Sequence, residues 1–95
     1  MTDALVLSES GGTITIAADV LDRIVRRAAE QGDVVKVRRR GLDVKDGRVT
    51  LPVTVRHGEV LSTVGEEVQA RVAESLRSSC GFEAAAVDVS IEELT

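Results

Sequence analysis

The side chains best suited to nucleophilic or acid–base chemistry are few in this chain. His57 is the only histidine and Cys80 the only cysteine. They end a predicted strand and a predicted helix that are far apart in sequence, and neither has an obvious activating base beside it. The acidic pairs 66–67 and 92–93 are neighbours in sequence, so their carboxylates diverge instead of forming an acid–base couple. We therefore predict that the chain is not an enzyme.

Ligands for a metal or a nucleotide are equally sparse. With a single cysteine, the chain can form neither an internal disulfide nor a cysteine-based zinc site, and it contains no oxygen-rich calcium loop. Its glycines match neither the phosphate-binding loop nor the dinucleotide fingerprint. We expect no cofactor and no metal, and the lone cysteine favours a reducing compartment.

The strongest candidate for a binding site is a group of basic residues around a run of three arginines. The candidate partner-binding residues are Arg26, Arg27, Lys36, Arg38, Arg39 and Arg40. Such a group can contact RNA, an anionic lipid surface or an acidic protein face, or it can be an ordinary solvated strand end. RNA is disfavoured because the chain has one aromatic residue and so lacks platforms on which bases stack. We expect a protein partner, either a different protein or a second copy.

Charge is also distributed unevenly along the chain. Residues 20–58 contain ten basic and five acidic residues, a net charge of +5, whereas the rest contains two basic and eleven acidic residues, a net charge of −9. This asymmetry indicates head-to-tail self-contact or an oriented encounter with a charged partner.

The apolar pattern predicts the elements that must position these residues, in the order (β)αββαβ. We predict strands over 13–16, 34–38, 48–57 and 87–92 and helices over 18–31 and 61–79, with a bulge or bend at 40–41 and a tight turn at 46–47. Pro52 lacks an amide hydrogen, which favours an edge position for its strand or a gap that faces outward. Thr63 and Glu66 are spaced as a capping box, and Gly81 as a left-handed helix end.

These elements predict the domain organisation and the fold class. Residues 1–12 read as a flexible N-terminal arm, although residues 4–7 could add a short edge strand, and residues 13–95 read as one domain. Because each strand has one apolar face, we expect an α+β two-layer sandwich, with a mostly antiparallel sheet of three to four strands and both helices on one face. No apolar stretch approaches the roughly 18 residues that a membrane-spanning helix needs, and the first residues do not resemble a secretory signal. We expect no direct insertion into a membrane.

The order of short motifs along the chain carries a family resemblance. The motifs are GTITI at 12–16 running into VLDRIV at 20–25, VTVRHG at 53–58, VGEEVQARV at 64–72, CGFE at 80–83 and VDVSI at 87–91. In this order they resemble the alkaline shock protein family of bacterial envelope-stress proteins, over about residues 12–92. The resemblance implies a cytoplasmic protein without enzymatic activity, often held near the membrane by a separate anchor protein and linked to cell-envelope homeostasis.

From these residues we predict a non-enzymatic adaptor or scaffold. It would act through protein–protein contacts in the cytoplasm or, through a membrane-anchored partner, at the inner face of the cell membrane. The alternative is a small RNA-binding module of the KH-like type, in which the order helix–strand–strand–helix–strand also occurs. That alternative is weakened because the chain has no Gly-X-X-Gly loop between its helices.

Overall fold

The computed structural model describes residues 2–95, and Met1 lies outside the described part of the chain. The strands are β1 Leu5–Glu9, β2 Gly12–Ile16, β3 Val35–Val37, β4 Asp43–Lys45, β5 Arg48–Val55 and β6 Ala86–Leu94, and the helices are α1 Ala18–Ala29 and α2 Leu61–Cys80. The predicted α+β class is confirmed, since two helices pack with a four-stranded sheet and a two-stranded hairpin.

Strand β5 is the centre of the four-stranded sheet. On one side β3 and β4 pair antiparallel with its two halves, and on the other side β6 pairs with it along its whole length. The pairing of β5 with β6 is parallel, because α2 lies between them in sequence and returns the chain to the end of the sheet at which β5 starts. The sheet is therefore antiparallel on one side of β5 and parallel on the other.

Of the two settings predicted for Pro52, an edge strand or a gap that faces outward, the edge strand was wrong, because β5 is central. Pro52 of β5, and Arg56 just beyond its end, direct their backbone groups towards the side of β3. The carbonyl of Pro52 accepts from the amide of Arg38 (2.8 Å), and the amide of Arg56 donates to the carbonyl of Val34 (2.9 Å). The missing amide hydrogen of Pro52 therefore faces the interruption between β3 and β4 and costs nothing in the ladder with β6.

One core lies between the sheet and the two helices. The inward residues of β5, Val49, Leu51, Val53 and Val55, have no exposed surface. Each helix contributes one stripe at helical spacing: Leu21, Val25, Ala28 and Ala29 from α1, and Val64, Val68, Val72 and Leu76 from α2. The fully buried part of the core is therefore entirely aliphatic.

The segment expected to be a flexible arm contains a strand. Leu5–Glu9 pairs antiparallel with Gly12–Ile16, in a hairpin separate from the main sheet. The hairpin is tied to the body where the Thr2 hydroxyl donates to the Asp22 carboxylate and Leu5 and Ile16 pack against the core. Leu5 and Leu7 lie opposite Ile16 and Ile14, so aliphatic side chains meet on one face of the hairpin.

The two turns predicted for the hairpin region are confirmed. Asp46 and Gly47 both have positive φ (53° and 78°), as a type I′ turn between β4 and β5 requires. At the predicted bend Gly41 has a φ of 100°, and a side chain there would approach the Pro52 ring at 3.0 Å. Only glycine combines that backbone conformation with so close a neighbour.

Of the two predictions for the ends of α2, one was wrong and one is confirmed. The capping box at Thr63 and Glu66 was wrong, because the helix already begins at Leu61 and its N-cap, Val60, has no side-chain cap. The left-handed end is confirmed, since Gly81 has a φ of 68° and its amide donates to the carbonyl of Arg77.

Candidate functional site

Four of the six candidate residues lie together on the outer face of the sheet. Lys36, Arg38, Arg39 and Arg40 line a groove of about 720 Å³, which we call the β3 groove. Its remaining lining residues are Val37, Thr54, Glu92 and Glu93. The sheet brings β3 and the end of β6 to the two sides of this groove because both pair with the last residues of β5.

Arg26 does not line the groove but contacts the backbone at the basic segment, residues 38–40. Its guanidinium donates to the carbonyls of Arg38 (3.2 Å), Arg39 (3.3 Å) and Val37 (3.4 Å). Arg38 is opposite Pro52, which has no amide hydrogen to offer its carbonyl, so Arg26 supplies the donor that the ladder lacks. The last turn of α1 thus fixes the backbone from which Arg39 and Arg40 extend.

The charge of Arg38 is balanced within the chain. Its guanidinium lies 3.2 Å from Glu93 and 3.6 Å from Glu92, at the end of β6. All three side chains are well exposed, so each of these ion pairs contributes only about 0–1 kcal/mol to stability. Their main effect is to orient Arg38 across the groove and to place two carboxylates on its far side.

The positive charge that the groove presents to solvent comes from its other basic residues. Lys36, Arg39 and Arg40 are exposed. Within residues 2–95 none of their side chains forms an ion pair or a hydrogen bond. Three cations beside one another with no carboxylate partner repel each other and favour a negatively charged binding partner.

Arg27 belongs to a different surface. It is exposed on α1 and lines a separate hollow between the helices, with Arg71 and Glu74 of α2. In that region Arg71 donates to the carbonyls of Ala28 (3.1 Å) and Ala29 (3.2 Å), at the end of α1. The structure therefore separates Arg27 from the β3 groove, although it is adjacent to Arg26 in sequence.

Sequence reasoning did not identify Glu92 and Glu93 as part of this surface. Both are far from Arg38 along the chain, and only the parallel return of β6 brings them beside it. The opposite charges of the middle and the end of the chain were the available signal, and part of this asymmetry is satisfied inside one molecule. A second such pair joins Arg48 to Asp88 at 2.6 Å.

The two residues considered for nucleophilic chemistry lie in different settings. Burial raises the pKa of the Cys80 thiol, which keeps it protonated and weakly nucleophilic at neutral pH. His57 is exposed just beyond β5, and its amide donates to the carbonyl of Thr95 (2.7 Å). Across residues 2–95, no three histidine, cysteine, aspartate or glutamate side chains are grouped so that they could hold a metal ion.

No family model, no curated protein and no solved structure matches this chain. In the part of the chain that the structure describes, neither helix combines the length and the apolar character that crossing a bilayer requires.

Proposed function

We propose that this protein is a non-enzymatic adaptor that binds an acidic face of a partner protein through the β3 groove. The resemblance to envelope-stress proteins supplies the context: an adaptor of the cell-envelope stress response, brought to the inner face of the membrane by a membrane-anchored partner. The observation that carries the proposal is the set of three unpartnered cations, Lys36, Arg39 and Arg40, at one groove.

The backbone under the groove supports this function because it is held in place before binding. The three carbonyls that Arg26 contacts are those of residues 37–39, which include the start of the basic segment. A loop fixed in this way loses less conformational entropy when its arginines engage a partner than a free loop would. The groove is therefore suited to recognition by charge and position.

An acidic protein face fits the groove better than RNA does. Phe82, the single aromatic residue, packs against the core and is not available for stacking on bases. Glu92 and Glu93 stand beside the cations and would repel a continuous phosphate backbone. A folded protein surface can place its own carboxylates opposite Arg39 and Arg40 and avoid the acidic side of the groove.

The test compares the double variant Arg39→Glu/Arg40→Glu with the control Arg23→Glu/Arg27→Glu. Both pairs are exposed, both change the net charge equally, and the control pair lies on α1 outside the β3 groove. We expect the groove variant to lose crosslinking to the native partner in cells, while the control variant retains it. Equal crosslinking by the two variants would refute the proposal.

A second measurement separates a protein partner from RNA. An electrophoretic shift of total cellular RNA that disappears in the groove variant but not in the control variant would assign the groove to nucleic acid instead. Sedimentation of the purified chain at low and high salt shows whether the partner is a second copy, since exposed charges are screened over about 8–10 Å at ordinary ionic strength.

A further inference from the structure

Strand β6 has a free edge, and the register identifies the backbone groups that face it. The amide of Thr95 donates to the carbonyl of Val55 (3.0 Å), so the odd-numbered residues of β5 direct their backbone groups towards β6. In a parallel pair, a residue forms its hydrogen bonds with the two neighbours of the residue opposite it. Val49 is opposite Val87, so it bonds to Ala86 and Asp88 of β6. The backbone groups of Val87, Val89 and Ile91 therefore point away from the sheet.

Most of this outer row is without a partner. At its beginning the side-chain amide of Gln69 donates to the carbonyl of Val87 (3.0 Å). For Val89 and Ile91, no hydrogen bond on the outer side is formed within residues 2–95. The side chains of both residues pack against the core but are only half-buried, which is consistent with an open edge above α2.

The opposite edge of the sheet is capped by other parts of the chain at Val37 and Val44. In β3 the outward amide of Val37 donates to the Glu30 carboxylate (2.8 Å), and its carbonyl accepts from Arg26. In β4 the carbonyl of Val44 accepts from the amide of Asp3 (3.0 Å). Such caps prevent pairing with a foreign strand. These caps interrupt the edge formed by β3 and β4, whereas within residues 2–95 Val89 and Ile91 form a continuous uncapped stretch on the edge of β6.

The charges beside the open edge indicate what kind of strand fits it. The exposed side chains of β6 include Asp88, which pairs with Arg48, and Glu92 and Glu93, which share Arg38, so three carboxylates face two guanidinium groups and one negative charge is in excess. The other face of β6 presents the half-buried aliphatic side chains of Val89 and Ile91. An antiparallel second copy of β6 would bring acidic residues close to acidic residues, which is unfavourable. A strand in which basic residues alternate with aliphatic ones would match both faces.

We propose that β6 binds, by strand addition, an extended segment of another protein in which lysine or arginine alternates with aliphatic residues. Main-chain hydrogen bonds to Val89 and Ile91 supply the affinity, and the acidic face of β6 selects the basic side chains. The backbone edge at Val89 and Ile91 lies outside the β3 groove, although the side chains of Glu92 and Glu93 border both surfaces. The proposal does not depend on the function assigned to the groove.

The experiment uses two labelled peptides with blocked ends, one alternating lysine with valine and the other glutamate with valine. Fluorescence anisotropy measures their binding to the full chain. We expect the lysine peptide to bind and the glutamate peptide to bind at least about tenfold more weakly. Equal binding of the two peptides would overturn the proposal, because the edge would then not select by charge.

Two variants test whether the bound peptide lies on β6. Val89→Pro removes an outward amide and leaves the bonds to β5 from Asp88 and Ser90, so lysine-peptide binding should fall about tenfold. Ser90→Lys adds a positive charge to the exposed face and should weaken binding about fivefold. Far-UV circular dichroism verifies the fold of each, and if Val89→Pro does not fold, Ser90→Lys decides the question.

A third variant, Arg39→Glu/Arg40→Glu, changes only the β3 groove and should bind the lysine peptide at least as well as the unaltered chain does. Unchanged affinity in Val89→Pro and Ser90→Lys would exclude β6 as the site. Sedimentation without peptide tests whether a second copy of the chain occupies the edge instead. If the chain is a dimer that Val89→Pro dissociates, the edge binds a second copy and the proposed basic partner is wrong.

Discussion

Replacing Arg26 with alanine tests how the basic segment is held. The guanidinium donates hydrogen bonds of 3.2–3.4 Å to the carbonyls of Val37, Arg38 and Arg39. The contacts to Val37 and Arg38 are partly shielded from solvent, and that to Arg39 is exposed. Their loss leaves the Arg38 carbonyl without a protein donor, because Pro52 opposite it has no amide hydrogen.

The magnitude follows from these distances. A hydrogen bond from a charged donor contributes about 1.5–3 kcal/mol, and three long, partly exposed bonds to one guanidinium should together lie at the low end of that range. We expect Arg26→Ala to lower the free energy of unfolding by about 1.5–2 kcal/mol. For a chain of this size, that corresponds to a urea midpoint lower by about 1 M.

A double-mutant cycle with Pro52→Val isolates the cause. Valine at this position restores an amide that can donate to the Arg38 carbonyl, so Arg26→Ala should cost about 0.5–1 kcal/mol less in that background. The control is Arg27→Ala, which removes an exposed arginine from the same turn and should change stability by less than about 0.5 kcal/mol. Urea unfolding monitored by circular dichroism gives the free energy of unfolding of each variant.

Two results would contradict this reasoning. If Arg26→Ala costs no more than Arg27→Ala, the three contacts do not stabilise the segment. If Arg26→Ala costs the same with proline or valine at position 52, its guanidinium does not replace a missing ladder donor.

Two further predictions concern α2. Gly81→Ala should lower the free energy of unfolding by about 1 kcal/mol, because the residue has a φ of 68°. Gly65→Ala, in the interior of the helix with no atom near the added methyl group, should raise it by about 0.5–1 kcal/mol. Urea midpoints measure both effects, and equal effects would contradict the assigned helix end. Since burial raises the pKa of Cys80, alkylation of the thiol should reach half its maximal rate at a higher pH in the folded chain than in urea. The stability that this group contributes should decrease as the pH rises above the pKa of the unfolded thiol. Coincident pH profiles of alkylation in the folded and unfolded chain would contradict this.

Local signals in the sequence were sufficient for most elements and turns. The helix over 61–79 was predicted within one residue of the observed Leu61–Cys80, because its apolar stripe is long and regular. The turn at Asp46 and Gly47 and the bend at Gly41 were predicted because few residues adopt positive φ. In these cases the information lies within a few neighbouring residues.

Pairings between distant segments could not be predicted in the same way. The alternation in β6 identifies a strand but is equally compatible with parallel and antiparallel neighbours, so the central position of β5 was missed. The groove was only partly foreseen for the same reason. Consecutive arginines are visible in sequence, whereas the contribution of Glu92 and Glu93 depends on the partner that β6 selects.

The parallel pairing of β5 with β6 also has a consequence for synthesis on the ribosome. Val49 of β5 pairs with Val87, so the neighbour that covers one side of the central strand is made only after the whole of α2. Until then the nascent chain exposes an apolar strand with one unpaired side, the kind of segment that chaperones bind and that aggregates when crowded. Closing so long a loop is slow compared with forming the β4–β5 hairpin, so the sheet is completed only after β6 has been made.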